Sequence, residues 1–238
     1  MKGHYPSKVI EIPTLRNKIH VFKDRDQAGE VLADMLKPRY ERAKDCIVLG
    51  IPSGGVPIAI AISKELEVPL DLFIVRKVQI PGNPEAGMGA LSFAGALLLN
   101  QELIDRLGIT PEQVEAQINR VREELKRRNQ LFRHGRPLPD LKGKTVIIAD
   151  DGLASGFTTL AAIKGVKAAG AEKTVVAVPT ASDTALERLS AEADEIFCPN
   201  IRTGYYFAVA DAYKKWYDLE PEEVIQRLRD AGYLSGKK

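Results

Sequence analysis

Residues 46–75 constrain the fold more than any other stretch. CIVL (46–49) reads as a short apolar strand, PSGG (52–55) as a turn, residues 56–66 as a buried helix, and residues 70–75 as the next strand. Strand, glycine turn, helix, strand is one βαβ unit, and its crossover joins parallel strands. The alternation resumes downstream: 145–149 is a strand, 158–169 a helix, 174–179 a strand, 184–191 a helix and 195–198 a short strand. The expectation is an α/β fold, a mostly parallel sheet flanked by helices.

The intervening segments break that rhythm. Residues 26–42 read as a helix with Ala28, Val31, Leu32, Met35 and Leu36 on one side, and Pro38 leaves its far end open. Residues 76–89 carry Pro81, Gly82, Asn83, Pro84, Gly87 and Gly89 and read as a mobile loop, and 90–99 as one strand or a strand pair. TPEQ (110–113) is a helix start, with Thr as cap, Pro in first position and Gln closing a capping box. Val114, Ile118, Val121 and Leu125 form a narrow apolar stripe on that helix. Its other faces are charged, so it is expected to lie on the domain edge, with Lys126, Arg127, Arg128 and Arg133 solvated. Residues 101–136 are thus a helical insertion within a single domain spanning 1–238.

Composition excludes several function classes. A chain of 238 residues, 45% hydrophobic and 28% charged, can bury one good core and is ordinary for a soluble globular protein. The net charge of +2 leaves no broad basic footprint, so nucleic acid is not an expected partner. Cys46 and Cys198 read as buried small hydrophobes, and His4, His20 and His134 are scattered, which leaves no zinc spacing. MKGHYPSKVIEIP has no apolar centre suited to a signal peptide, and the longest apolar runs are too short to span a bilayer. A soluble cytoplasmic protein with no membrane partner is expected.

The chemistry sits in VIIADDGLASGFTT (146–159). Ligands of open α/β sheets lie at the carboxyl ends of the strands, where Asp150 and Asp151 fall. Backbone N–H groups of the loop 152–158, opening a helix, favour a phosphate. Ser155, Thr158 and Thr159 can add hydroxyl donors, and Gly156 permits close backbone approach. The two carboxylates cannot face the same phosphate. A ligand with a phosphate at one end and a vicinal diol a few ångströms away satisfies both, as ribose 5-phosphate does, with room for Mg²⁺ between. The sequence has no G-x-x-x-x-G-K-[ST], and Gly152 and Gly156 lack dinucleotide-fold spacing.

On these residues the chain resembles the type I phosphoribosyltransferases, whose signature matches Val146–Ala149, Asp150, Asp151, Ser155, Gly156 and Thr158. GIPSGGVPIA, IVRKVQIPGNPEAGMGA and YFAVADAY are similar to a narrower group within that family. The resemblance implies a core of that family with a small hood. It also implies binding of 5-phosphoribosyl 1-pyrophosphate (PRPP) with Mg²⁺, which Asp150 and Asp151 would reach indirectly, through ligand or water. Residues Asp150, Asp151, Gly152, Leu153, Ala154, Ser155, Gly156, Phe157, Thr158 and Thr159 would hold the ribose phosphate. Ser53, Gly54 and Gly55 would hold the pyrophosphate, together with Arg76 and Lys77 at the end of the second core strand. Asp150, Asp151, Arg76 and Lys77 would act in catalysis, the loop 76–89 would close over the centre, and Tyr206 and Phe207 would stack on the acceptor.

The implied reaction displaces pyrophosphate with the nitrogen of a small, nucleobase-like heterocycle, as in nucleotide salvage, and the family implies a homodimer. Two departures stand out. Ser53 occupies a position often basic in the narrower group, and Ala154 occupies the position of an acid/base aspartate in purine-salvage members. A non-catalytic PRPP-binding regulator that contacts nucleic acid through residues 126–136 is therefore the alternative.

Overall fold

The computed structural model describes residues 8–204 and 206–233, without the side chains of residues 84 and 85. The first seven residues, with His4, and Tyr205 fall outside that description. In chain order the elements are β1 (Val9–Ile10), α1 (Arg25–Tyr40), β2 (Cys46–Gly50), α2 (Gly55–Leu66), β3 (Leu70–Leu72), β4 (Val75–Ile80), β5 (Asn83–Ser92), β6 (Leu97–Leu99), α3 (Gln101–Arg106) and α4 (Pro111–Arg133). There follow β7 (Thr145–Ala149), α5 (Phe157–Ala168), β8 (Lys173–Ala177), β9 (Thr180–Ser182), α6 (Asp183–Ser190), β10 (Glu195–Phe197), β11 (Asn200–Arg202) and α7 (Pro221–Asp230).

Six strands form one all-parallel sheet in the order β1-β10-β8-β7-β2-β3. Successive side chains alternate between its faces. Ile47, Leu49, Val146 and Ile148 pack with Ala161, Ile163 and Val166 of α5, while Val48 and Ile147 pack with Leu32, Ile58 and Ile62 of α1 and α2. Burial on both faces explains why β2 and β7 read as unbroken apolar runs. The register aligns Ile10, Phe197, Ala177, Ala149, Gly50 and Leu72 in one row at the carboxyl ends. Whatever follows those residues is gathered along one edge. Cys46 and Cys198 are buried free thiols, and burial pushes Cys46 up to about 11 and raises Cys198 further, as their reading as small hydrophobes requires.

Two expectations are corrected between β3 and α4. Residues 70–75 are not one strand, because β3 stops at Leu72 and Val75 opens a separate antiparallel sheet, β4-β5-β6. Nor are residues 76–89 an open loop; they form a hairpin paired from Val75↔Ser92 to Ile80↔Asn83. Gly82 makes the turn, with φ +78°, but Gly89 marks a close neighbour: a β-carbon there would collide with the Leu98 carbonyl oxygen of β6. The stripe of α4 covers this sheet, with Ile118, Val121 and Leu125 packing with Ile74, Val78, Met88 and Leu91. The helix starts as expected, since Gln113 N–H donates to Thr110 Oγ1 at 3.3 Å and Thr110 N–H to Gln113 Oε1 at 2.9 Å. Helix α1 continues through Pro38, which is exposed, and ends at Tyr40. Among the described residues no helix is long and apolar enough to cross a membrane.

The far end of α4 is pinned to the parallel sheet. Arg133, expected to be solvated, is wholly buried. Its Nε and Nη2 donate to the two Asp71 oxygens at 2.9 and 3.0 Å, and its remaining N–H groups go to Asn129 Oδ1 and the Arg136 and Pro137 carbonyls. All five guanidinium donors are thereby used. Burial alone would raise the Asp71 carboxyl, but the bonds from Arg133 and Tyr233 hold it below the usual carboxylate range. Asp71→Asn should destabilise the fold by about 3 kcal/mol in urea unfolding at pH 7, because a buried arginine loses its counter-charge. A carboxyl with a depressed folded pKa stabilises above its unfolded value, so the gap between wild type and variant should close as pH falls below about 4.

Candidate active site

The aligned carboxyl ends bring two loops into contact. The turn after β2 lies directly on the end of β7: a β-carbon on Gly55 would sit 2.5 Å from the Ala149 carbonyl oxygen, and one on Gly54 would overlap the Asp151 carboxylate. At Gly55 the neighbour is backbone and only glycine fits, while a side chain at Gly54 would have to displace the Asp151 carboxylate, so Gly54 and Gly55 are held against Asp150 and Asp151.

Each acid has distinct surroundings. Asp151 Oδ2 accepts from Arg25 Nε at 3.0 Å and pairs with Arg25 Nη2 at 2.9 Å, while Asp151 N–H donates to Asp150 Oδ1 at 2.9 Å. Arg25 is buried, lies 3.9 Å over the Trp216 ring, and donates through Nη1 to the Tyr217 carbonyl at 2.9 Å. Tyr213 Oη donates to the Asp151 carbonyl at 2.6 Å. Burial raises both carboxyls. Asp150 stands well above the ordinary range because the Asp151 charge adds to burial, whereas Arg25 opposes the rise at Asp151. Sequence reasoning missed Arg25. A signal existed, for a basic residue in the first turn of a helix opposes the helix dipole and calls for another reason to be there.

The helix starts around the acids are also unlike the others. Helices α1, α3, α4 and α6 are capped by Asp24, Asn100, Thr110 and Ser182, and α7 has Glu222 and Glu223 in its first turn. Helices α2 and α5 begin after Gly54 and Gly156 with neither a side-chain cap nor a first-turn acid. Their orphan N–H groups, on either side of the acid pair, suit anions. The loop before α5 is braced from behind. Leu153 N–H donates to the Thr180 carbonyl at 2.9 Å, Ser182 N–H to the Leu153 carbonyl at 3.0 Å, and Ser182 Oγ to the Ala154 carbonyl at 2.8 Å. Arg188 donates to the Ser155 carbonyl.

Other expected site residues are placed differently. Ala154 and Ser155 are exposed and Gly152, Phe157 and Thr158 half-buried, but Leu153 is buried in the ladder with β9. Thr159 is 1% exposed, since one further helical residue turns its hydroxyl away from solvent; it is not a surface donor. Arg76 and Lys77 do not end a core strand. They are neighbours within β4 and so point to opposite faces. Arg76 turns to α4, where its Nε lies 2.8 Å from Glu124 Oε1, and Lys77 passes against Gly87. Tyr206 is 94% exposed, and Phe207 is half-buried in the segment that returns to press Val209 on Gly152. Among the described residues no cluster of three or more His, Cys, Asp or Glu forms a protein-only metal site.

The model of the phosphoribosyl transferase domain matches residues 22–214, and the chain belongs to that family. It is 36% identical over 208 residues to proteins of two Mycobacterium tuberculosis strains, CDC 1551 and H37Rv, that carry a provisional phosphoribosyl transferase name. The match covers 87% of this chain and 46% of theirs, so the chain spans about half the length of these curated relatives. The crystal structure of TT1426 from Thermus thermophilus is similar at 36% identity and a TM-score of 0.71, over 88% of this chain and 98% of that one. The mostly parallel sheet with flanking helices is thus the architecture of the family, as the resemblance implied.

The acid pair generates a test with opposite signs. Asp150 has a folded pKa above its unfolded value, so its ionisation opposes folding. That penalty is absent below about pH 4 and grows as pH rises through the folded pKa. Asp150→Asn should raise the melting temperature at pH 8 by about 2–4 °C and lose that gain at pH 4. Asp151→Asn strands the buried Arg25 charge and should lower stability by about 3 kcal/mol. Thermal melts of both variants at the two pH values check the pair.

Proposed function

We propose that this chain transfers the 5-phosphoribosyl group of PRPP to a ring nitrogen of a small, nucleobase-like heterocycle, releasing pyrophosphate. The observation that carries the reading is the pair of uncapped helix starts, α2 and α5, flanking two carboxyls raised by burial. One ligand that satisfies all three features has an anion at each end and a diol in the middle.

In this reading the 5-phosphate sits at the start of α5, on the N–H groups of residues 154–158 and the hydroxyls of Ser155 and Thr158. The ribose hydroxyls donate to Asp150 and Asp151, and Arg25 fixes the second acid so that the sugar is held in one orientation. The pyrophosphate faces the start of α2 at Ser53, Gly54 and Gly55. The acceptor nitrogen attacks the anomeric carbon as the bond to the pyrophosphate oxygen breaks, and that oxygen keeps the electron pair. The proton lost by the nitrogen goes to solvent or product, because Ala154 offers no base.

Mg²⁺ fits the donor set as a shared ion. Asp151 already spends one oxygen on Arg25, so the chain offers few hard oxygens and the substrate would supply the rest. When bound, the ion would neutralise the leaving oxygens. Phe207 and Tyr206 remain the proposed stacking surface for the acceptor.

The alternative of a PRPP-binding regulator draws on Ala154. Its nucleic-acid arm, residues 126–136, is weakened as a free basic surface. Arg133 is consumed by Asp71, and Arg136 lies over Tyr233 at 4.5 Å.

Incubating the protein with PRPP, Mg²⁺ and a panel of nitrogen heterocycles should release pyrophosphate only when one particular acceptor class is present. Release independent of any acceptor would indicate a hydrolase. No release with PRPP bound would favour the regulator.

A further inference from the structure

Ser53 stands at a turn built for an anion yet brings no charge to it. A cation reaches that turn from elsewhere. Arg128, on α4, donates through Nη2 to Ser53 Oγ at 3.2 Å, which is its only hydrogen-bond acceptor among the described residues. Its guanidinium is steadied 5.0 Å over the Phe132 ring, and its Nε is buried without a hydrogen-bond partner. Arg76 approaches from β4. Its Nε lies near Glu124 but is likewise buried without an aligned hydrogen bond. Glu124 is thus paired with Arg76 and acts on Arg128 only as a neighbouring charge. Burial, and then repulsion by Arg76, lowers Arg128 to about 10, with Glu124 opposing.

This arrangement is unfavourable as it stands. Two partly desolvated guanidiniums of like charge, one of them without a carboxylate partner among the described residues, held beside an uncapped helix start, are stabilised by an anion with several oxygens. The rest of the fold fixes the two backbone elements that carry them. Arg133, about one and a half turns further along α4, anchors the helix to Asp71, and the stripe of Ile118, Val121 and Leu125 seats it on the hairpin that carries Arg76.

We infer that Arg128 grips the pyrophosphate of PRPP at the Ser53–Gly55 turn, reaching the substrate from α4 and supplying the charge that the turn itself lacks. Arg76, held by Glu124, completes the cation pair. This rests on the PRPP reading and adds a catalytic residue to it, in a helix that contributes nothing to the parallel sheet. The leaving group is then clamped between the N–H groups of α2 and the guanidinium fork, and the acids hold the sugar from the other side.

Three ligands separate this role from its alternatives: PRPP, inorganic pyrophosphate and ribose 5-phosphate. They are titrated calorimetrically at fixed Mg²⁺ and salt into wild type, Arg128→Met, Arg128→Lys and Arg127→Met. Arg128→Met should weaken PRPP and pyrophosphate by at least about tenfold and leave ribose 5-phosphate within about twofold. Arg128→Lys, which keeps charge and stem, should recover part of the loss and keeps the test open if the methionine variant does not fold. Arg127→Met, on the exposed side, should change none of the three beyond about twofold. Unchanged PRPP affinity in Arg128→Met would overturn the assignment, as would an equal loss for ribose 5-phosphate or a loss that Arg127→Met reproduces. Wild type that binds none of the three would sink the PRPP reading itself, and this inference with it.

Discussion

Everything distinctive about this molecule depends on one backbone contact, the turn after β2 lying on the end of β7. Gly54 and Gly55 leave no space between that turn and Asp151 and Ala149. The contact places two helix starts beside one pair of acids, which lie largely out of water. From that desolvation come the raised carboxyls and the need for Arg25. A larger residue at Gly55 would push the turn off the end of β7, and one at Gly54 would displace the Asp151 carboxylate.

Charge is therefore concentrated at one edge of the sheet, and the surrounding structure is built to tolerate it. Arg25, set by the start of α1, lies over Trp216 and is tied to the Tyr217 carbonyl, so Tyr213, Trp216 and Tyr217 buttress the acid pair while Tyr213 and Trp216 also pack in the core. The Asp71–Arg133 pair does something similar on the other flank. It fixes α4 to β3, so the helix that covers the antiparallel sheet is tied to the parallel one. Buried ion pairs of this kind are weak evidence for stability in themselves, and here their effect is to fix geometry.

Local signals in the sequence carried much of this. Strand β7 and the start of α4 could be read directly, because apolar runs and a capping box depend only on neighbouring residues. The run DDGLASGFTT combines acids, glycines and hydroxyls in one segment, which is why an anion site is proposed there. What escaped was long-range. Gly87 and Gly89 suggested a loop, although the reason for Gly89 is the Leu98 carbonyl on the neighbouring strand. Thr159 looked like a donor until the helical turn placed it inside. Arg25 and Arg128 lie 126 and 75 residues from their partners at the site, a separation that no motif encodes.

The central claim is that the acid pair and the loop before α5 form one ribose-phosphate site. Calorimetric titration of PRPP with Mg²⁺ into wild type and an Asp150→Asn/Asp151→Asn variant tests it most directly. Saturable one-to-one binding to wild type, at least about a hundredfold weaker in the variant, is the expected result, from the loss of two charge-assisted contacts. Absence of binding to wild type, or equal binding to both proteins, would contradict it.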